Sequence, residues 1–208
     1  IKMTSMSVRD AKKDHLLTTQ NAALIIIDYQ PTQVNSINSM QHAPLVQNII
    51  LVARLAQTYD LPVVLSTVNV KSGKNHDTIP ALKAVLGDTP SYDRTSINAW
   101  EDQEFYDAVK ATGRKKLLMT ALWTEACLTF PTLDALAEGY EVYPVVDAVG
   151  GTSSAAHNMA LHRVQQAGAQ LTSIAQVACE LQRDWNRAET VPGCVNILSD
   201  AGIFLRLE

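Results

Sequence analysis

Residues 117–130 read LLMTALWTEACLTF, and this stretch decides the fold. A short apolar run of the kind that fills a buried strand gives way to Trp-Thr-Glu-Ala-Cys, after which apolar residues recur at helical spacing. A strand that passes directly into a helix is the repeating unit of a parallel α/β sheet. The stretch therefore predicts an α/β protein, and it places Cys127 in the first turn of the helix.

The same alternation continues on both sides of this stretch. Apolar runs predict strands, and helical periodicity predicts helices. The strands are expected at 23–28, 62–67, 116–121, 141–147 and 170–174, and the helices at 44–58, 79–87, 101–111, 125–138, 153–167 and 175–186. Residues 91–100, SYDRTSINAW, show neither pattern and are predicted to be irregular. We expect a single domain over residues 1–208, with its core at about 20–186 and a C-terminal tail at 187–208.

The composition excludes several classes of protein. Of the 208 residues, 47% are apolar and 18% are charged, which is typical of a globular chain. A net charge of −4 without a Lys/Arg cluster argues against nucleic-acid binding. No stretch approaches the roughly 20 apolar residues of a membrane span, and residues 1–17 lack the apolar region of a secretory signal. The three cysteines are widely spaced, which indicates no disulfide framework and favours a reducing, cytoplasmic setting.

Ligands of open α/β sheets bind beyond the carboxyl ends of the strands, so the residues after each strand carry the functional signal. These positions lack GxGxxG, GxxxxGK[ST] and GxSxG, which removes the usual dinucleotide, P-loop and serine-hydrolase interpretations. His157 and His162 lie five residues apart on a predicted helix, roughly 140° around its axis, so they share no face. We therefore expect no metal site and no cofactor.

Cys127 carries the sharpest of the remaining signals. An isolated free cysteine is usually just a small buried apolar residue. With Thr124 as N-cap, however, Cys127 takes the third helical position, where backbone N–H groups and the helix dipole stabilise a thiolate and can hold an oxyanion. Asp28, which closes an apolar strand, is either a turn cap or a general base. Arg94 is the candidate cation, unless it forms only a surface ion pair with Asp93.

Several segments together resemble the isochorismatase-like cysteine hydrolases, and among these the YcaC-type branch. The segments are IIIDYQ (25–30), RTSINAWED (94–102), WTEACL (123–128) and ELQRDW (180–185). The resemblance covers about residues 20–186. It implies a Rossmann-like three-layer α/β/α sandwich around a six-stranded parallel sheet in the order 3-2-1-4-5-6. It also implies no catalytic metal and a homo-oligomer, such as an octamer of stacked rings.

The resemblance further implies an Asp–Lys–Cys catalytic triad. Asp28 and Cys127 match the aspartate and the nucleophile, whereas Arg94 stands where the wider family has lysine. Arginine does not give up its proton near neutral pH, but it can hold a thiolate and orient a carboxylate. A non-proline cis peptide is implied at Trp123–Thr124, where it would aim backbone N–H groups at an oxyanion.

The expected activity is hydrolysis of an amide, imide or ureido C–N bond in a small-molecule substrate, through a thioester on Cys127. The N–H groups of Ala126 and Cys127 are the expected oxyanion donors. The candidate pocket residues are Tyr29, Gln30, Asn98, Trp100, Trp123 and Phe130, with core packing as the alternative for the aromatic ones. Two other functions stay open: a catalytically lapsed small-molecule-binding protein and a thiol-redox protein. The catalytic hypothesis assumes that the Cys127 thiol is ionised at neutral pH.

Overall fold

Five parallel strands form one sheet in the computed structural model, which describes residues 8–10 and 13–203. The strands are β1 (Ala22–Ile27), β2 (Val63–Val68), β3 (Ser91–Arg94), β4 (Lys116–Ala121) and β5 (Glu141–Pro144). Their order is β3-β2-β1-β4-β5, and every neighbouring pair is parallel. The predicted α/β class is confirmed, and the five strands follow the first five positions of the expected order.

Eight α-helices connect or flank these strands within the described residues. They are α1 (Pro31–Asn35), α2 (His42–Thr58), α3 (Pro80–Leu86), α4 (Gln103–Ala111), α5 (Thr129–Ala137), α6 (Ser154–Gln166), α7 (Ile174–Gln182) and α8 (Val191–Asp200). A π-helical turn, Thr124–Leu128, precedes α5. Polar side chains start three of the helices: Asp102, Ser153 and Ser173 accept backbone N–H groups at the beginnings of α4, α6 and α7. None of the helices in the described ranges is long and apolar enough to cross a membrane.

The alternation of side chains along β1 divides the interior into two apolar cores. Leu24 and Ile26 face a core that includes buried residues of α2, α3, α7 and α8. Ile25 and Ile27 face the opposite core, which includes buried residues of α4 and α5. Successive residues of a strand point to opposite faces, so a strand that is apolar throughout needs helices on both sides. This produces the predicted three layers.

The expected sixth strand is absent from the described sheet, and Pro144 accounts for this. Residues 170–172 run beside β5, where Gln170 and Thr172 donate to the carbonyl groups of Val142 and Pro144, both at 2.9 Å. Only Thr172 forms a bridge, with Val145. Proline has no N–H group to donate to the neighbouring segment, so the pairing with β5 is too short for residues 170–172 to form a strand.

Two further elements differ from the sequence-based expectation. Residues 91–94 form β3 rather than an irregular segment, because their backbone pairs with β2 from Leu65 to Val68 although their side chains are largely polar. The tail contains α8, whose Cys194, Ile197 and Leu198 are buried in the same core as α7. The end of the apolar tail, residues 204–208, lies outside the described residues, as do residues 1–7 and 11–12.

Candidate active site

Asp28 follows β1 in a backbone conformation that is unusual for a residue with a side chain. Its φ of 64° lies in the left-handed region, which costs a residue other than glycine of order 1 kcal/mol. Its N–H group donates to the Ser66 carbonyl group at 3.0 Å, and its own carbonyl group accepts from Gln30 at 2.8 Å. The side chain of Asp28 is fully buried at the carboxyl end of the central strand.

The guanidinium of Arg94 pairs with this carboxylate in a two-pronged geometry. Nη1 donates to Asp28 Oδ1 at 2.7 Å, and Nη2 donates to Asp28 Oδ2 at 2.9 Å. Nη1 also donates to Ser66 Oγ and the Thr67 carbonyl group, both at 3.1 Å, and Nη2 donates to the Ile97 carbonyl group at 2.9 Å. Although burial opposes the charge, the hydrogen bond and charge of Asp28 raise the pKa of Arg94.

The alternative of a surface ion pair between Arg94 and Asp93 does not occur. The Asp93 carboxylate instead accepts from the Thr67 hydroxyl group at 2.9 Å and from the N–H groups of Val70 and Lys71 at 3.0 and 2.9 Å. Consecutive residues of β3 point to opposite faces of the sheet. Arg94 therefore reaches inward to Asp28 while Asp93 orders the loop after β2.

The π-helical turn after β4 presents Cys127 to this ion pair. The N-cap of the turn is Trp123 rather than the expected Thr124, so Cys127 is the fourth residue of the turn. Thr124 instead places its hydroxyl group 2.8 Å from Nδ1 of His157. Cys127 is 9% exposed, and its Sγ lies 3.7 Å from the Ile97 carbonyl oxygen. The three expected catalytic side chains, from β1, β3 and the π-helical turn, thus meet at one edge of the sheet.

The protonation state of Cys127 corrects the sequence-based hypothesis. Burial raises the pKa of the thiol to about 12, and the charge and hydrogen bond of Asp28 add to the rise, while Arg94 and the Trp123 N–H group oppose it. The helix terminus and guanidinium do not outweigh burial beside a carboxylate. The sulfur is therefore a thiol at neutral pH.

The backbone around the sulfur also differs from expectation. The non-proline cis peptide is Leu122–Trp123, one bond earlier than expected, and Trp123 then enters the π-helical turn in an extended conformation. The Thr124 N–H group donates to the Gly150 carbonyl group at 2.8 Å, and Ala126 donates to the Trp123 carbonyl group at 3.2 Å. The N–H group of Trp123 lies close enough to the Cys127 sulfur to lower the pKa of the thiol, against the larger effect of burial.

A cavity of about 330 Å³ is lined in part by Asp28, Arg94 and Cys127. Its polar or reactive lining comes from Asp28, Gln33, Arg94 and Cys127, and its apolar lining from Val68, Ile97, Leu122, Trp123, Ala126 and Phe130. A concave site of this size with apolar walls and a few convergent polar groups suits a small molecule. Two of the candidate pocket residues, Trp123 and Phe130, line this cavity.

The other four candidate pocket residues stabilise the fold instead. The Tyr29 hydroxyl group donates to the Ala148 carbonyl group at 2.6 Å, within the core on the other face of the sheet. The Gln30 amide bonds to Val68 and His76 and so ties down the loop after β2.

Asn98 caps a short turn through the Trp100 N–H group and donates to Asp134 at 2.7 Å. Trp100 donates to Glu138 at 2.9 Å and packs edge-on against three aromatic rings. The polar atoms of Asn98 and Trp100 thus bond to other parts of the chain, and neither residue lines the cavity.

Four lining residues were missed by the sequence-based prediction: Gln33, Val68, Ile97 and Leu122. Val68 and Leu122 stand at strand ends and could have been found by that criterion. Ile97 contributes both its side chain and a carbonyl group that serves Arg94 and Cys127. A backbone acceptor of this kind cannot be predicted from the residue type.

Comparison with known proteins identifies the family. The profile of the isochorismatase domain matches residues 22–176, from β1 into α7. The chain belongs to the isochorismatase family. Within this family it is 38% identical over 170 residues to the probable hydrolase YcaC of Escherichia coli (strain K12), covering 81% of each chain.

Two crystal structures of isochorismatase-family members share the fold closely. E. coli YcaC, described as an octameric hydrolase of unknown specificity, superposes with a TM-score of 0.84 at 35% identity, covering 90% of this chain and 91% of that one. YcaC from Pseudomonas aeruginosa, with hexane-2,5-diol and covalent acrylamide, superposes with a TM-score of 0.85 at 34% identity, covering 90% and 92%. The comparisons place the chain among the hydrolases of the family and assign no substrate to it.

Proposed function

We propose that this isochorismatase-family protein is a cysteine-dependent hydrolase of a C–N bond in a small amide, imide or ureido compound. The observation that carries the proposal is the convergence of Cys127 and the buried Asp28–Arg94 ion pair on one cavity. A nucleophile beside a base that is itself oriented by a third group is the arrangement that acyl transfer needs.

The reaction begins with proton transfer from the Cys127 thiol to Asp28. The sulfur attacks the substrate carbonyl carbon and forms a tetrahedral intermediate with a negatively charged oxygen. As the intermediate collapses, the C–N bond breaks, and Asp28 returns the proton to the leaving nitrogen. Water then attacks the resulting thioester and loses a proton to Asp28. Breakdown of the second intermediate releases the acid and restores the thiol.

Arg94 acts in this scheme as a fixed cation. It holds both oxygens of Asp28 and cannot itself donate its proton near neutral pH. Its positive charge also opposes the rise in the pKa of Cys127, which eases formation of the thiolate. An arginine thus supports the proton transfer by orientation and charge in the place of the lysine of the wider family.

The N–H group of Trp123 is the oxyanion donor that the geometry supports best, together with that of Cys127. The Trp123 N–H group lies near enough to the sulfur to lower the pKa of the thiol, so an oxygen on a carbon bonded to that sulfur would come within its reach. Ala126 is a poorer donor than the sequence indicated, because its N–H group bonds to the Trp123 carbonyl group.

A relative lends support to a reactive nucleophile in this fold. The P. aeruginosa YcaC structure contains covalent acrylamide, which is a small neutral amide with an electrophilic carbon. A thiol-redox function is less well supported, because oxidation to sulfenic acid needs thiolate character, and burial beside Asp28 raises the pKa of Cys127.

The test compares hydrolysis of a panel of small amides, imides and ureas by the wild type and by Cys127→Ala and Cys127→Ser. We expect both variants to lose roughly 10³-fold or more in turnover, because the nucleophile is gone. Cys179→Ala is the matched control, since Cys179 is an exposed thiol on α7. Intact-protein mass spectrometry of quenched reactions should show the acyl group on the wild type. Equal turnover by wild type and Cys127→Ala would defeat the proposal and favour a binding protein.

A further inference from the structure

The charge balance of the cavity bears on which substrates it accepts. Among the described residues that line it, Arg94 is the only cation and Asp28 is the only anion. The two form a bidentate pair with fully buried side chains, so their charges cancel locally. When Cys127 is a thiol, the triad as a whole is neutral. Transfer of the thiol proton to Asp28 leaves the total charge of the three side chains unchanged.

Arg94 has little capacity left for a substrate anion. Its two terminal nitrogens carry four hydrogens, and they already serve five acceptor contacts on four residues, Asp28, Ser66, Thr67 and Ile97. The Nε–H group of Arg94 has no hydrogen-bond partner but is fully buried, so a substrate carboxylate could form a bidentate pair with the guanidinium only by displacing Asp28. That displacement would remove the proton acceptor of Cys127 and leave a second carboxylate buried without a partner.

The rest of the cavity offers no second cation among the described residues to compensate an anion. Its walls are mostly the side chains of Val68, Ile97, Leu122, Trp123 and Phe130. The Gln33 amide, whose oxygen accepts from Asn75 at 3.1 Å, is the one other polar side chain of the lining. Lys71 and Lys74 lie exposed on the loop after β2 and do not line the cavity, so water and salt screen their charges.

We infer that the cavity selects small substrates that carry no charge near the scissile bond, such as neutral aliphatic or aromatic amides, and rejects their carboxylate-bearing analogues. A neutral amide brings a carbonyl oxygen for the Trp123 N–H group and an apolar body for the walls. A carboxylate in the same place loses its hydration without gaining a cation, which is the costly case of charge burial. Selection among substrates rests on the proposed function, whereas the exclusion of anions from the cavity does not depend on it.

The direct test is alkylation of Cys127 by iodoacetamide and by iodoacetate. The first reagent carries a neutral amide where the second carries a carboxylate. In both reactions the sulfur forms a bond to carbon, iodide leaves, and the thiol proton passes to Asp28 or solvent. Peptide mass spectrometry measures the rate at which Cys127 is labelled in the intact protein. N-acetylcysteinamide, a neutral model thiol, gives the intrinsic ratio of the rates of the two reagents. We expect the ratio of the iodoacetamide rate to the iodoacetate rate to be at least about tenfold higher for Cys127 than for the model thiol.

A cation placed in the wall should reverse this preference. The Ile97 side chain is 65% exposed and lines the cavity, so Ile97→Lys is accommodated without disturbing the core, and the backbone carbonyl group at this position remains. We expect Ile97→Lys to raise the relative rate of iodoacetate by about tenfold, since a positive charge then faces the incoming carboxylate. Ile97→Met is the matched neutral control and should keep the wild-type ratio.

A substrate pair separates this inference from the proposed function. Succinamate is butyramide with a carboxylate in place of the terminal methyl group, and kcat/KM for the two reports charge selection during turnover. Preference for iodoacetamide without hydrolysis of any amide would overturn the proposed function and support the charge selection. Two results would overturn the inference: a Cys127 reagent ratio equal to that of the model thiol, or equal ratios for Ile97→Lys and Ile97→Met.

Discussion

At the level of single residues, Asp28 combines strain and charge in one position. Its left-handed backbone turns the chain sharply after β1, and its buried carboxylate is held at both oxygens by Arg94. Residues in sparsely populated backbone conformations persist where the surroundings hold them, and they concentrate at functional sites. Here the holding contacts come from β2 and β3, through Ser66 and Arg94.

The same carboxylate controls the acidity of Cys127. Its charge and hydrogen bond raise the pKa of the thiol, in addition to the effect of burial. Asp28 therefore suppresses the thiolate at rest, and in the proposed mechanism it accepts the proton during attack. A base that also disfavours the free thiolate couples ionisation to the presence of substrate and limits side reactions of the sulfur.

Substitution Asp28→Asn tests this dual role because its two effects have opposite signs. In the wild type, a pKa of about 12 predicts that iodoacetamide labelling of Cys127 rises with pH without a plateau below pH 10. The amide removes the negative neighbour, lowers the pKa and raises labelling at pH 8 by about tenfold, since one pKa unit is a factor of ten in thiolate. Amide hydrolysis should fall in the same variant, because the proton acceptor is lost.

The control for this experiment is the pH profile of N-acetylcysteinamide, which should level off near an ordinary thiol pKa of about 8.5. A wild-type Cys127 profile that also levels off there would contradict the protonated resting state. A slower rather than faster labelling of Asp28→Asn would show that Asp28 acts on the sulfur through structure alone.

At the level of secondary-structure elements, Pro131 explains why Cys127 sits on a π-helical turn. In a continuous α-helix from Thr124 onward, Pro131 would stand in the interior, where it cannot bond to the carbonyl group of Cys127 and would clash with it. The observed helix instead restarts at Thr129, after a turn in which Leu128 donates to Trp123 at 3.1 Å. Pro131 then falls in the first turn of α5, where its missing N–H group costs little.

Substitution Pro131→Ala should let the regular helix extend back toward Trp123 and move the sulfur away from its partners. We expect amide turnover and Cys127 labelling to fall by about ten- to a hundredfold, because small displacements of reacting groups are costly. Circular dichroism should show that the protein remains folded.

Pro80→Ala is the control for this prediction, since Pro80 also lies in a first helical turn but on α3, among the helices of the opposite core. It should leave turnover and labelling unchanged. Wild-type turnover in Pro131→Ala would mean that the π-helical turn is set by its tertiary contacts and not by the proline.

At the level of the whole molecule, the strand order determines where the site forms. The chain builds β1, β2 and β3 in one direction and then places β4 on the other side of β1. The connections after β1 and β4 therefore diverge and leave a crevice at the carboxyl edge of the sheet. Asp28 and the Cys127 turn stand on the two sides of this crevice, and Arg94 reaches it from β3.

The molecule is expected to work as a homo-oligomer. E. coli YcaC is described as octameric, and this chain superposes on it over 90% of its length. Light scattering coupled to size-exclusion chromatography should give a mass that is a multiple of the 22.7 kDa chain, with eight chains as the specific expectation. The E. coli relative run on the same column is the control. A single-chain mass across micromolar concentrations would contradict this prediction.

Much of the fold could be predicted because its signals are local. Buried parallel strands must be apolar on both faces, and amphipathic helices must repeat their apolar residues, so β1, β4 and α2 were visible in the pattern. The polar strand β3 was invisible, because its backbone pairing with β2 defines it rather than its side chains. The sixth strand does not form, because Pro144 lacks the N–H group that would extend its pairing with β5.

The sequence by itself determined the α/β class and the positions of Asp28 and Cys127 after strands, since strand and helix periodicity follow from burial alone. Only the tertiary structure decided that Arg94 turns to Asp28, 66 residues away, and that the Ile97 carbonyl group lies beside both Arg94 and Cys127. It also decided that the thiol rests protonated. These properties depend on distances and desolvation among segments far apart in the chain, and no local pattern of residue types records them.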